Sequence, residues 1–136
     1  MNPTKNLYEF NFREVGHWSL DGSLKSGVRF TLTTYSEDRV IYAFMVDDDV
    51  RYIGVCDKTA TTLSDRMNRY QGMTGAGTNR RVAGLIKEAL SNGGRVKILA
   101  SKPDKSIKIS NLEVDLVKGL ENPLIQEFKP EWNIHG

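Results

Sequence analysis

With 136 residues, 39% of them hydrophobic, and a mean hydropathy of −0.43, the chain is sized for one domain with one core. It has neither the Gly/Pro excess of a disordered segment nor an 18-residue apolar run that would span a membrane. The single Cys56 cannot close an internal disulfide, His17 and His135 lie at no zinc-ligand spacing, and the N-terminus lacks the apolar core of a signal peptide, all of which suits a reducing intracellular compartment. Formal net charge is only +2, but nine Lys/Arg against three Asp/Glu between Arg51 and Lys97 give +6, and five acids against two bases between Asn111 and Asn133 give −3. That pattern describes a middle that attracts phosphate and a C-terminal part suited to a cation.

In chain order, Tyr8, Phe10 and Phe12 alternate, as do Val28, Phe30, Leu32 and Thr34, so residues 7–35 read as β structure with a hairpin turn at Asp21-Gly22. Arg13 and Lys25 stand on or near these strands as candidate contacts to an anionic partner. Val40–Val46 and Val50–Gly54 are two short runs rich in β-branched and aromatic residues, separated by Asp47-Asp48-Asp49, and read as a second hairpin. Pairing Val46 with Val50 sets Phe44 against Tyr52 and Tyr42 against Gly54. Two phenols and one missing side chain then share a face, an arrangement suited to the floor of an anion site.

A helix follows, capped by Thr61 or Thr62 with Asp65 reaching back, and Leu63, Met67 and Tyr70 mark its core face. Arg66 precedes Tyr70 by four residues and neighbours it; Arg69 points elsewhere. The loop from Gly72 to Thr78 ends in no Gly-Lys-Ser/Thr and joins two helices, so it is not a phosphate-binding P-loop. A second helix starts near Thr78 or Asn79 and carries a stripe of Val82, Leu85, Ile86, Ala89 and Leu90. Arg80 and Arg81 in its first turn oppose the helix dipole, which points to an external anion. A strand from Arg95 to Ser101 and a basic connection with a short strand at Ile107–Ile109 come next. Ser110 or Asn111 is expected to cap a last helix through Leu112, Leu116, Val117 and Leu120, bent around Glu121 by Pro123 and ended by Pro130.

These pieces together resemble a known family. Val40-Ile41-Tyr42 followed by Arg51-Tyr52-Ile53-Gly54 is similar to the paired signature of the GIY-YIG nuclease superfamily. Arg66 resembles its helix arginine, and Leu120-Glu121-Asn122-Pro123-Leu124-Ile125 with Trp132-Asn133-Ile134 resembles its distal Glu and Asn elements. Phe12-Arg13, Asp21-Gly22-Ser23 and the second helix extend the resemblance to the branch of phage endonuclease II and the small restriction endonucleases, where a lysine implicated in activity matches Arg13. Val40 replaces the first glycine of the signature, and Val55 stands where a lysine is common.

The resemblance implies an α+β fold, a small central antiparallel or mixed sheet flanked by helices, in a single domain 1–136 with an N-terminal β extension (1–39) and a catalytic core (40–134). It implies a metal-dependent DNA endonuclease of restriction or phage type, the alternatives being a structure-specific repair nuclease and a catalytically inactive DNA-binding protein. Tyr42, Tyr52, Arg66, Tyr70, Glu121 and Asn133 would form the site, with Mg²⁺ (or Mn²⁺) on Glu121 in preference to Glu113, and with no organic cofactor. Arg66 offers paired hydrogen bonds to non-bridging oxygens. Tyr42 is the first candidate for the base and Tyr70 the second. A free phenol titrates near 10, so service near pH 7 requires roughly 4 kcal/mol from nearby cations. Arg13, Lys25, Gly54, Arg69, Arg80 and Arg81 would line the DNA, and a homo-oligomer, dimer or tetramer, in the cytoplasm of a bacterial or phage-infected cell is the expected setting, with no membrane partner.

Overall fold

A computed structural model describes residues 6–33, 39–56, 61–103 and 107–133. Thr34, His135 and Ile134 lie outside them. Strands β1 (Arg13–Leu20), β2 (Val28–Leu32), β3 (Val40–Val46), β4 (Asp49–Cys56) and β5 (Val96–Ser101) form one antiparallel sheet in the order β2-β1-β5-β3-β4. A separate ribbon pairs β6 (Ile107–Ile109) with β7 (Leu112–Val114). Helices α1 (Leu63–Gly72), α2 (Gly77–Ser91) and α3 (Leu116–Phe128) complete an α+β architecture. Among the described residues, no helix is long and apolar enough to cross a membrane.

β3 lies between β5 and β4, and all seven of its residues are buried. Strand alternation therefore sorts it between two cores. Val40, Tyr42, Phe44 and Val46 join Leu63, Met67 and Tyr70 of α1 and Val82 and Ile86 of α2. Ile41, Ala43 and Met45 join Val117, Leu124 and Ile125 of α3 on the other side. The capping box predicted for α1 is present: Thr62 Oγ1 accepts from Asp65 N at 3.1 Å, and Asp65 Oδ2 accepts from Thr62 N at 3.0 Å. It fixes where α1 starts, and so which side chains face the sheet.

Several expectations need correction. Residues 7–10 form a 3₁₀ turn, because Asn6 caps it and Asn11 adopts a left-handed φ of 63°. The strands of the N-terminal extension join the main sheet, β1 beside β5 and β2 at its edge. In the β3–β4 hairpin Tyr42 meets Gly54 and Phe44 meets Tyr52 as expected, but nearer the tip Met45 meets Val50 and Val46 meets Asp49. A bulge absorbs Arg51, and Asp47 takes the positive φ (55°) that a tight turn requires. Ser110 and Asn111 cap no helix. With φ of 45° and 68° they make the two-residue turn of the β6–β7 ribbon, and α3 starts later, where Asp115 Oδ1 accepts from Val117 N at 3.0 Å. α3 then runs through Pro123 unbroken to Phe128, and Lys129 ends it in the left-handed region (φ 46°).

Candidate active site

Three phenols meet on the α1/α2 side of the sheet. Tyr42 comes from β3, Tyr52 from its neighbour β4, and Tyr70 descends from α1, with ring centroids 6.3–6.4 Å apart in all three pairs. The Tyr42 and Tyr70 hydroxyl oxygens lie 2.6 Å apart, and Arg66, one turn before Tyr70, donates through Nη2 to Tyr42 Oη (3.3 Å) and Tyr70 Oη (3.4 Å). Its guanidinium carbon sits 5.6 Å from the Tyr70 ring centroid, a cation–π contact. In the Tyr42–Tyr70 bond one phenol donates and the other accepts, so the second phenol's proton remains available to a third group. Among the described residues the buried Arg66 Nε has no hydrogen-bond partner and no carboxylate pairs with this guanidinium. A guanidinium without a carboxylate partner keeps donor capacity that an oxyanion can use.

The electrostatics differ from the sequence expectation. Burial pushes the Tyr42 phenol up, the Tyr52 phenol adds to that, and Arg66 and the Tyr70 hydrogen bond pull back without overcoming it. Tyr70 is raised well above the ordinary phenol range, again chiefly by burial. Within the pair, the shared hydrogen bond favours Tyr42 as the phenolate and disfavours Tyr70. Burial works against the Arg66 charge, yet the two phenols hold it protonated. Both phenols are neutral near pH 7 and both are fully enclosed, at 0% exposure. Arg66, partly exposed, is the part of the network that a ligand meets first.

Gly54 is not room for a phosphate. A Cβ at this position would lie 2.6 Å from both Cζ and Oη of Tyr42, so the missing side chain is the space into which the Tyr42 ring itself is laid. Gly54→Ala should force that phenol aside and cost about 1–3 kcal/mol in a urea melt. Gly84→Ala on the exposed side of α2, where nothing lies within 4 Å, should stabilise by up to about 1 kcal/mol. Equal melts for the two variants would contradict the tight Tyr42–Gly54 packing. Val55 is also clarified: it pairs with Ile41 and packs on the α3 side, so a lysine there would not stand beside Tyr42.

Asn133 closes the free edge of β4. Its Oδ1 accepts from Ile53 N and its Nδ2 donates to Ile53 O, both at 2.9 Å. Trp132 N donates to the bulged Arg51 O at 2.7 Å, and the Trp132 ring is buried in the core that holds the tyrosines. Arg81 donates to Trp132 O at 3.0 Å, so it pins the C-terminal segment instead of lying open to a ligand. No spacing rule in the sequence predicts that contact. Arg51 pairs with Asp49 (2.6 Å) and Glu131 (3.3 Å).

The remaining candidates spread outward. Across the sheet, Arg13 pairs with Ala100, Ala100 with Tyr42, and Tyr42 with Gly54. Arg13 therefore shares the tyrosine face, exposed and two strands from Tyr42, roughly 10 Å away by strand spacing. Arg69 and Arg80 are exposed on α1 and α2, and Lys25 is exposed in the β1–β2 loop. Glu121 is half-buried on α3, in line with Val117 and Ile125 on the stripe that faces the sheet, the opposite face from Tyr42. Among the described residues, no three His, Cys, Asp or Glu side chains cluster as a metal cage. A single carboxylate nonetheless fits a hard cation such as Mg²⁺, which takes its other ligands from phosphate oxygens and water.

No protein-family model matches the chain, and comparison with curated proteins finds no match. Solved structures do match. A mutant of bacteriophage T4 EndoII superposes with a TM-score of 0.69 at 24% identity, covering 94% of this chain and 95% of that one. The restriction endonuclease HPY188I, in complex with product DNA, gives 0.56 at 17% identity over 89% of this chain and 75% of that one. The chain shares the fold of these two structures, and its α+β architecture is the one that the sequence resemblance implies.

Proposed function

We propose that this chain is a metal-dependent DNA endonuclease that hydrolyses phosphodiester bonds. The observation that carries the reading is Arg66: a protonated guanidinium, held from below by two phenols, with a buried Nε that no group among the described residues satisfies. A phosphodiester offers two non-bridging oxygens at the spacing that a guanidinium fork takes. The two superposing structures, an endonuclease by name and a restriction endonuclease with product DNA, support DNA as the partner.

Arg66 would take the phosphate and hold the developing negative charge. As it turns toward the phosphate, Tyr42 and Tyr70 keep each other's hydroxyls in place through their shared hydrogen bond. Tyr42 would act as the base in its ionised form: its own proton is first lost to solvent, the Tyr70 hydroxyl donates to the phenolate oxygen, and the phenolate then takes the proton of the attacking water. Tyr52, 8% exposed at the rim, orients water or phosphate. Asn133 keeps the β4 edge, and with it Tyr52, in position. Glu121, across the sheet from Tyr42, would hold a divalent cation, whose charge would help to stabilise the phosphoryl group. Arg13, Lys25, Arg69 and Arg80 contact the DNA backbone, each adding roughly −0.9 to the slope of log affinity against log salt. One site cuts one strand, so a homo-oligomer, acting in the cytoplasm of a bacterial or phage-infected cell, is part of the reading.

The full enclosure of Tyr42 and Tyr70 favours a second reading, a DNA-binding protein without catalysis. Supercoiled plasmid separates the two. The endonuclease reading expects nicked and then linear product with Mg²⁺ or Mn²⁺ and none after chelation. Intact binding with no nicking at any metal concentration establishes the second.

A further inference from the structure

Seven large apolar side chains are exposed among the described residues, and they are not scattered. Six of them, Tyr8, Phe10, Ile107, Ile109, Leu112 and Leu120, belong to the 3₁₀ turn, to α3 and to the ribbon that leads into α3. The ribbon is the clearest case. Its register pairs Ile107 with Val114, Lys108 with Glu113, and Ile109 with Leu112. Cross-strand partners and alternate residues share a face, so four apolar side chains stand on one side and the Lys–Glu pair on the other. Ile107, Ile109 and Leu112 are 55%, 62% and 71% exposed. A two-stranded ribbon is marginal in water without a covering layer. Val114 Cγ1 lies 3.7 Å from where a Cβ on Gly119 would be, which sets this apolar face beside the first turns of α3. At the other end of the helix Phe10 packs edge-on against Phe128, their centroids 5.9 Å apart.

We propose that this α3-side surface, centred on the apolar face of the β6–β7 ribbon, is where the chain associates with a second copy of itself. The inference rests on the homo-oligomer part of the functional reading and not on its chemistry. Charge decides against nucleic acid as the occupant: the ribbon's outer face carries no cation, and Lys108 is matched by Glu113 behind it. An uncharged face is complementary to its own image, which is what a two-fold contact requires. Area agrees. At roughly 200 Å² per large side chain, the six exposed fractions offer on the order of 600 Å², most of the ~800 Å² per partner in a stable interface. The surface belongs to the elements away from the tyrosine face, so pairing through it leaves Arg66 of both copies uncovered.

The test is sedimentation equilibrium of the full chain without DNA. The wild type should run at twice 15.3 kDa or a higher multiple. Ile109→Lys with Leu112→Lys should raise the dissociation constant by about 100-fold or more, with circular dichroism unchanged because both side chains face solvent in the single chain. Leu112→Cys should give a disulfide-linked dimer under mild oxidation. Wild-type association by the double variant, with no cross-linking at position 112, overturns the surface while leaving the oligomer reading standing. A wild type that stays monomeric at roughly 100 μM overturns both. Neither result bears on cleavage, which the plasmid assay reads separately.

Discussion

Arg66→Ala should lower plasmid nicking by about 10³-fold or more, while the fold, followed by circular dichroism, survives. The magnitude follows from removing a pre-organised donor aimed at charge that develops in the transition state, where a single donor is worth about 10²–10³-fold. Arg66 supplies more than one, through its fork and its open Nε. The fold survives because the Tyr42–Tyr70 bond at 2.6 Å does not depend on the guanidinium, and because α1 keeps its capping box. Arg66→Lys separates charge from shape: an ammonium keeps the cation but cannot bond two oxygens in one plane, so it should recover at most about tenfold of the loss. A pH profile shows what Arg66 does for the base. Tyr42 is pushed above its ordinary value even with Arg66 in place, so the wild-type rate should climb tenfold per pH unit between 7 and 9 if Tyr42 takes the proton. Without Arg66 the phenolate loses its cation and the climb shifts to still higher pH. A flat profile in the wild type assigns the proton to another group. Wild-type nicking by Arg66→Ala removes the phosphate-binding role outright.

The local signals in this sequence carried far. Alternating apolar residues around three aspartates placed β3 and β4, and because register is quantised in steps of two, pairing Tyr42 with Gly54 also put both phenols on one face. Thr62 and Asp65 set the start of α1, and a spacing of four then put Arg66 beside Tyr70. The failures were places where one short stretch supports two local structures. Tyr8, Phe10 and Phe12 alternate as a strand would, but Asn6 and Asn11 supply the cap and the left-handed residue that close a 3₁₀ turn. Ser110-Asn111 is equally a helix cap and a tight turn, and the turn prevailed because Asp115 caps the helix from a better place. The contacts between distant segments had no local signature at all. Burial of Tyr42, and with it the direction of its titration, depends on α1 and β4 closing over it. The tie from Arg81 to the Trp132 carbonyl joins residues 51 apart. Gly54, expected on the floor of an anion site, instead leaves the space that the Tyr42 ring fills. A missing Cβ shows that something comes close, and only the packed structure shows that it is the neighbouring phenol.

Glu121→Ala should abolish nicking, a loss of at least about 10³-fold, while DNA binding measured without divalent cations stays within about threefold of wild type. The two effects part because a carboxylate contributes nothing attractive to a phosphate unless a cation lies between them. On the proposed reading, removing it would take away the cation's anchor and the several kcal/mol of charge stabilisation that goes with it, but no contact to DNA. The fold should tolerate the change: alanine is the best helix former, and Glu121 lies within α3, clear of its capped start at Asp115 and of its end at Phe128. Glu121→Gln, which keeps the shape and loses the charge, should fail as completely and so exclude a packing explanation. Glu113 is the control. It stands on the charged side of the ribbon opposite Lys108, among exposed residues, and Glu113→Ala should nick within about twofold of wild type. Titrating Mn²⁺ adds a second reading, because a weakened site responds to a higher concentration of metal whereas an absent one does not. Rescue of Glu121→Ala by excess Mn²⁺ would mean that other ligands hold the cation and Glu121 only assists. Loss of nicking in Glu113→Ala with activity retained in Glu121→Ala would move the metal to the ribbon, and with it the centre of the site.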